Sequence, residues 1–230
     1  MNTVINQNVA FPLAKKTKYD PNDTIDIVMS LENKKLVPGS VVFNGHVRIM
    51  NGASPISQAE QVQFDADAGY HSIFQDITTE FRQIGVTESF SYYPRYVKMK
   101  TQSTKFRGSL GTESYNCLEG KCPTKVIRSG MDKGQGSVQI NGADLAGTVP
   151  FIVKPDCVIN KASVPIPGNQ VGTVRLRTRM APANEALFGT QKTSAFTYEI
   201  YDLRVYYETI PDDNTRPPLQ LEVYNVNRQV

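Results

Sequence analysis

Apolar side chains recur at every second position through most of this chain, which is the period of a half-buried β-strand. Ile25, Ile27 and Met29 alternate with Thr24, Asp26 and Val28. Val41, Phe43, Gly45, Val47 and Ile49 form one face, with Asn44, His46 and Arg48 opposite. Val174, Leu176 and Met180 alternate with Arg175, Arg177 and Arg179. Phe196, Tyr198 and Ile200 share a face, then the parity shifts and Leu203, Val205 and Tyr207 continue it after a register change. Leu219, Leu221 and Val223 alternate with Gln220 and Glu222 as a closing strand. A one-residue slip would turn each apolar set outward, so the patterns specify register.

Turn signals separate these runs: Val37-Pro38-Gly39-Ser40, Asn51-Gly52-Ala53-Ser54-Pro55, Asn141-Gly142, Pro165-Ile166-Pro167-Gly168-Asn169 and Pro211-Asp212-Asp213-Asn214. Proline fixes φ and glycine admits positive φ, so each cluster redirects the chain. Many short strands with such punctuation predict an all-β sandwich or barrel. Helical signal is scarce. Ile73, Ile77 and Phe81 fit a helix or a strand, a helical turn is expected near Pro94, and Pro182 to Phe188 reads as one short helix stopped by Gly189. Residues 101–147 are rich in glycine and read as a long excursion, with a hairpin around Ser137 to Ile140.

Composition narrows the picture. The 230 residues, with 14 Pro, 16 Gly and no Trp, suit one large all-β domain, and neither a repeat nor a linker divides them. The expected organisation is an N-terminal arm over residues 1–20 and a single domain over 21–230. The net charge of +3 is mild, and the densest basic stretch, Lys15-Lys16-Thr17-Lys18, reads as a solvated turn before it reads as a nucleic-acid contact. No apolar run reaches the ~18 residues that span a bilayer. The first residues show no charged segment followed by an apolar one, so synthesis and use in a cytoplasm are expected, with no secretion signal. In that setting Cys117, Cys122 and Cys157 are expected as free thiols, with a late Cys117–Cys122 disulfide left open.

Candidate chemistry is sparse. Two separated histidines, His46 and His71, lack the spacing of a metal site, and no nucleophile elbow, P-loop or zinc-protease motif occurs. Asp65, Asp67 and Gly69 suit a polar turn better than a calcium loop. No cofactor, catalytic residue or metal is expected. Arg175, Arg177 and Arg179 lie about 7 Å apart on one strand face and repel one another unless paired. Their partners are carboxylates of this chain, carboxylates of a neighbouring subunit, or packaged nucleic acid.

Three stretches resemble the jelly-roll capsid proteins of tailless icosahedral double-stranded DNA viruses. They are residues 36–49 (LVPGSVVFNGHVRI), residues 67–78 with 88–99 (ESFSYYPRYVKM), and the closing run through residues 151–157, 172–176, 184–189 and 201–205. The resemblance covers about half the chain. It implies a single jelly-roll sandwich of two antiparallel sheets with long loops and one or two short helices, and no enzyme activity. In that lineage a single barrel forms the pentameric vertex, or penton. The closing strands resemble equally the first barrel of a double jelly-roll major protein, so a major capsid protein with one barrel per subunit is the alternative. A lectin-like module is the rival from another class, since the tyrosines could stack on sugars.

Under the capsid reading the expected partners are further copies of the chain, other shell proteins, and a spike or receptor reached through the loops. Contact with nucleic acid or an internal membrane is left open, and the expected location is the virion. The expected subunit contacts are Val4, Ile5, Val9, Phe11 and Leu13 in the arm, Arg175, Arg177 and Arg179, and Leu219, Leu221 and Val223 in the tail.

Overall fold

A computed structural model describes residues 4–55, 62–65, 67–104, 119–120, 139–140, 143–144, 148–189, 193–213, 219 and 221–226. The first strands are β1 (Asn6–Ala10), β2 (Lys18–Tyr19), β3 (Thr24–Met29), β4 (Lys34–Leu36), β5 (Val42–Asn51) and β6 (Ser54–Pro55). Then come β7 (Gln63–Phe64), β8 (Phe74–Phe81), β9 (Val86–Ser91), β10 (Gln139–Ile140), β11 (Ala143–Asp144) and β12 (Val149–Val153). The last are β13 (Ile166–Pro167), β14 (Val174–Met180), β15 (Leu187–Phe188), β16 (Phe196–Pro211) and β17 (Asn225–Val226).

Two sheets face each other. In the first, β12, β5 and β16 are neighbours, and β1 and β2 lie along the other edge of β16. In the second the order is β9-β8-β14-β3. Taking the β1–β2 segment as the first of eight principal strands, the sheets read 1-8-3-6 and 2-7-4-5. That interleaving is the double Greek key of a jelly roll. The alternating faces are buried as their spacing predicts: Ile25, Ile27, Met29, Phe43, Val47, Ile49, Val174, Leu176 and Met180 all lie in the core. Phe43 of the first sheet stacks on Phe74 of the second at 4.8 Å between ring centroids. Such an aromatic pair adds to the area it buries.

The parity change in β16 is a bulge. Tyr201 opposes His46 and Arg204 opposes Asn44, so Asp202 and Leu203 together face Gly45. Asp202 takes φ of 50°, and its carboxylate pairs with Arg204. Gly45 is needed opposite, because a Cβ there would meet the Tyr201 carbonyl oxygen at 3.0 Å and the Phe151 ring at 3.1 Å.

Several expectations are revised. The turn near Pro94 is a full helix, α1 (Tyr93–Thr104), whose first turn accepts Pro94 because its missing N–H needs no partner there. Ile73, Ile77 and Phe81 belong to β8 and the 3-10 turn before it, not to a helix. The Pro165 to Asn169 turn instead contributes β13, paired with β4, and one helical turn, Gly168–Val171. There Gly168 lies so close to Leu31 that a Cβ would collide with the Leu31 carbonyl oxygen. Leu219, Leu221 and Val223 are not in a strand; among the described residues of the tail, Asn225–Val226 pairs. The helix expected over Pro182 to Phe188 is confined to Ala183–Ala186 and is followed by β15. The hairpin expected near residue 140 is the β10–β11 pair, while most of the excursion, with Cys117 and Cys122, lies outside the described residues.

The segment expected as an arm is built into the first sheet. β1 pairs with Val205 to Thr209 of β16, β2 pairs with Ile200 and Tyr201, and Ala10 and Tyr19 are buried. Lys18 crosses to Glu199 at 2.7 Å. Removing residues 2–20 would therefore strip a strand from the sandwich. Truncating the inter-sheet aromatic contact with Phe43→Ala should lower stability by about 3–5 kcal/mol in chemical denaturation. A loss below about 1 kcal/mol would show that the Phe43–Phe74 contact does not hold the sheets together.

Candidate assembly surfaces

The first surface is the β1 edge. Side chains 5, 7, 9, 11 and 13 point outward along it, while Ala10 and Pro12 point in. Val4, Ile5, Val9, Phe11 and Leu13 are 61, 56, 41, 54 and 62% exposed; Ile5, Val9, Phe11 and Leu13 share the outward parity as one row, with Gln7 between the first two, and Val4 precedes them on the other parity. Val9 opposes Tyr206 on β16, and Tyr206 opposes Val42 on β5, which carries the row onto the sheet's outer face. Contiguous exposed apolar surface of this kind marks contact sites more often than scattered residues do. At its end the chain turns toward the second sheet, where the Leu13 N–H donates to the Asp26 carbonyl at 2.8 Å.

The second surface is the arginine ladder of β14, flanked by β3 and β8. Arg175 donates to both Asp26 oxygens, with Nε at 2.7 Å from Oδ1, and lies 3.6 Å from Glu80. Arg177 lies 3.8 Å from Glu80, and Arg179 lies 3.4 Å from Asp76. Carboxylates of this chain thus relieve the repulsion that the spacing implies. The fork-shaped pairing with Arg175 holds the Asp26 carboxyl below the usual carboxylate range. The basic turn is paired in the same way, Lys16 with Asp23 and Lys18 with Glu199.

The third surface is the C-terminal segment. Leu219, Leu221 and Val223 pack half-buried against the core, and β17 runs parallel to β9, where the Ser89 N–H donates to the Asn225 side chain at 3.0 Å. Beneath it Glu88 is fully buried and accepts the Val158 N–H at 2.7 Å and the Tyr224 N–H at 3.4 Å. Burial pushes its carboxyl above the ordinary range despite those donors. Lys161 fits between the rings of Phe90, Tyr96 and Tyr224, each about 5 Å away, and pairs with Asp156 at 3.2 Å. Nothing in the sequence pattern marked this lysine, because its cage is assembled from distant segments.

The remaining polar groups serve the fold. His71 shares a 2.9 Å hydrogen bond with the Tyr93 hydroxyl, which accepts the Asp156 N–H. Asp65 accepts the backbone N–H groups of Asp67 and Ala68 and pairs with Lys98 at 2.6 Å, the polar turn that its sequence suggests. Burial and the nearby Arg204 hold the His46 imidazole below its usual value. The Cys157 thiol is buried and pushed up to about 12, far from the thiolate a nucleophile needs. No group of three His, Cys, Asp or Glu side chains is placed to hold a metal among the described residues. A cavity of about 190 Å³ beside α1 is lined by Arg95, Lys98, Gln75, Glu185 and Phe188.

The chain is similar to solved structures that include the following three. The mavirus major capsid protein is 12% identical, with 92% of this chain and 48% of that one covered at a TM-score of 0.45. PBCV-1 VP54, fitted into a reconstruction of the virophage Sputnik, is 11% identical, covering 90% and 42% at 0.40. The cryo-EM structure of the Sputnik virophage is 9% identical, covering 95% and 50% at 0.49. The chain spans about half the length of the solved chains it matches. No protein-family model and no curated protein sequence matches it.

The depressed Asp26 carboxyl sets a testable pH dependence. Its stabilisation is present above the usual carboxylate range and is lost as pH falls through the lowered value. Asp26→Asn should therefore melt below the wild type at neutral pH, with the two melting curves converging in strong acid. Melting curves separated equally at every pH would show that the Arg175 pair does not stabilise the sandwich.

Proposed function

We propose that this chain is a non-enzymatic structural capsid protein that builds an icosahedral virus shell and resides in the virion. The observation that carries the proposal is the exposed apolar row on the first strand of a jelly roll whose buried acids Asp65, Glu88 and Glu199 are engaged in structural pairs. A sandwich of this kind leaves its edges and end loops for neighbours, and many weak contacts sum to a stable shell. The sequence resemblance supports the same reading. The single barrel favours a pentameric vertex protein, whose ring closes through repeated head-to-tail contacts. Its partners would be further copies of itself and other shell proteins, with a spike or receptor reached through the loops.

The second reading is a major capsid protein with one barrel per subunit, in which paired subunits replace a fused double barrel. It is favoured by the absence of charged side chains in β1 itself, a strand suited to another barrel. The arginine ladder supports nucleic-acid binding poorly, since each guanidinium faces a carboxylate of its own chain.

Light scattering on the purified full chain, with negative-stain imaging, tests these readings. A closed five-membered ring is the outcome expected of a vertex protein, and a dimer, trimer or hexamer that of a major shell protein. A strict monomer at high concentration that binds glycans on an array would sink the capsid proposal in favour of a lectin-like module.

A further inference from the structure

Strand β1 ends the first sheet, and its outer edge has no strand partner among the described residues. Exposed strand edges offer unpaired N–H and C=O groups, and proteins usually protect them with charge, proline or a bulge. Here the protection is missing. Residues 1–14 include no Asp, Glu, Lys or Arg, and Pro12 falls beyond the strand. Asn6, Gln7 and Val9 are exposed.

The composition of the edge suggests what would cover it. Around Gln7 the segment is close to its own chemical mirror: Asn6 and Asn8 flank the glutamine, and Ile5 and Val9 flank the asparagines. In an antiparallel pair centred on one residue, positions equally far before and after that centre lie opposite each other. Two copies related by a two-fold axis would set Gln7 against Gln7, Asn6 against Asn8 and Ile5 against Val9. The faces agree as well. Ile5, Gln7 and Val9 point outward together, so the apolar pairs would line up with Tyr206 and Val42 on the outer face. Such a contact is self-complementary, the requirement of a closed two-fold interface.

We propose that two copies of this chain join β1 to β1, antiparallel across a two-fold axis at Gln7, so that one sheet runs through both barrels. The inference rests on the shell reading above and names the partner of its first surface: a second copy. No side chain of β1 is charged, so the two strands bring no like charges of their own to the axis, and the exposed Gln7 side chains can bond each other across it; Asn8 keeps its bonds within the chain to Asn6, Thr209 and Lys34.

Charge exchange tests it on the full chain. Ile5→Lys/Val9→Lys sets Lys against Lys across the axis, and Ile5→Glu/Val9→Glu does the same with Glu. Both positions are exposed, so thermal melting followed by circular dichroism should match the wild type. In light scattering each charged variant should fall to half the wild-type mass, and an equimolar mixture of the two should regain it. Independently, oxidation of Gln7→Cys should link two position-7 thiols, located by peptide mapping.

Charged variants that keep the wild-type mass would overturn the pairing. If that retained mass is a closed five-membered ring, the shell reading survives without it. A position-7 thiol that links only to another residue or another protein would also overturn it. A wild type that stays monomeric and binds glycans, together with a Gln7→Cys variant that forms no position-7 link, would overturn both readings.

Discussion

Hydrogen bonding along the full length of β16 is the constraint on which the rest of the sandwich depends. A strand this long must satisfy donors and acceptors on both edges. One edge is filled by β5 and then β4, the other by β2 and then β1. These partners come from the first quarter of the chain, so the C-terminal strand holds the N-terminal segments in place. The bulge at Asp202 and Leu203 allows the strand to serve both halves. It shifts the inward parity by one residue, so that Tyr198 and Ile200 before it and Val205 and Tyr207 after it all face the core.

The second sheet depends on that frame through packing. Phe74 meets Phe43, and Tyr198 of β16 donates its hydroxyl to the Ala181 carbonyl between β14 and the Ala183–Ala186 turn. Arg175, Arg177 and Arg179 on the outside of this sheet pair with Asp26, Glu80 and Asp76 of adjacent strands. The outer charge of that sheet is therefore largely spent within the chain, whereas the outer row along β1 is apolar. This asymmetry directs the functional reading toward the β1 edge.

Much of the sandwich was legible in the chain, because period-2 alternation reports which side of a strand is buried. The strands around Ile27, Phe43, Leu176 and Tyr198 follow it, and the parity change after Ile200 marked the bulge. The first strand was harder to read. Along residues 5–13 the large apolar side chains Ile5, Val9, Phe11 and Leu13 face outward and Ala10 and Pro12 face in, the reverse of the usual burial, so the local pattern reads as an arm. The tail misled in the opposite sense: Leu219, Leu221 and Val223 alternate like a strand yet pack without pairing.

By itself the sequence determined the all-β class, the register of its central strands and the apolar identity of the arm, because these follow from local alternation and composition. Only the tertiary structure decided that β1 is the first strand of the jelly roll, that each arginine of β14 has a carboxylate beside it, and that Lys161 is enclosed by three rings. Those outcomes depend on contacts between residues far apart in the chain, Arg175 with Asp26 and Tyr224 with Lys161 among them, and no local pattern encodes which distant segments will meet.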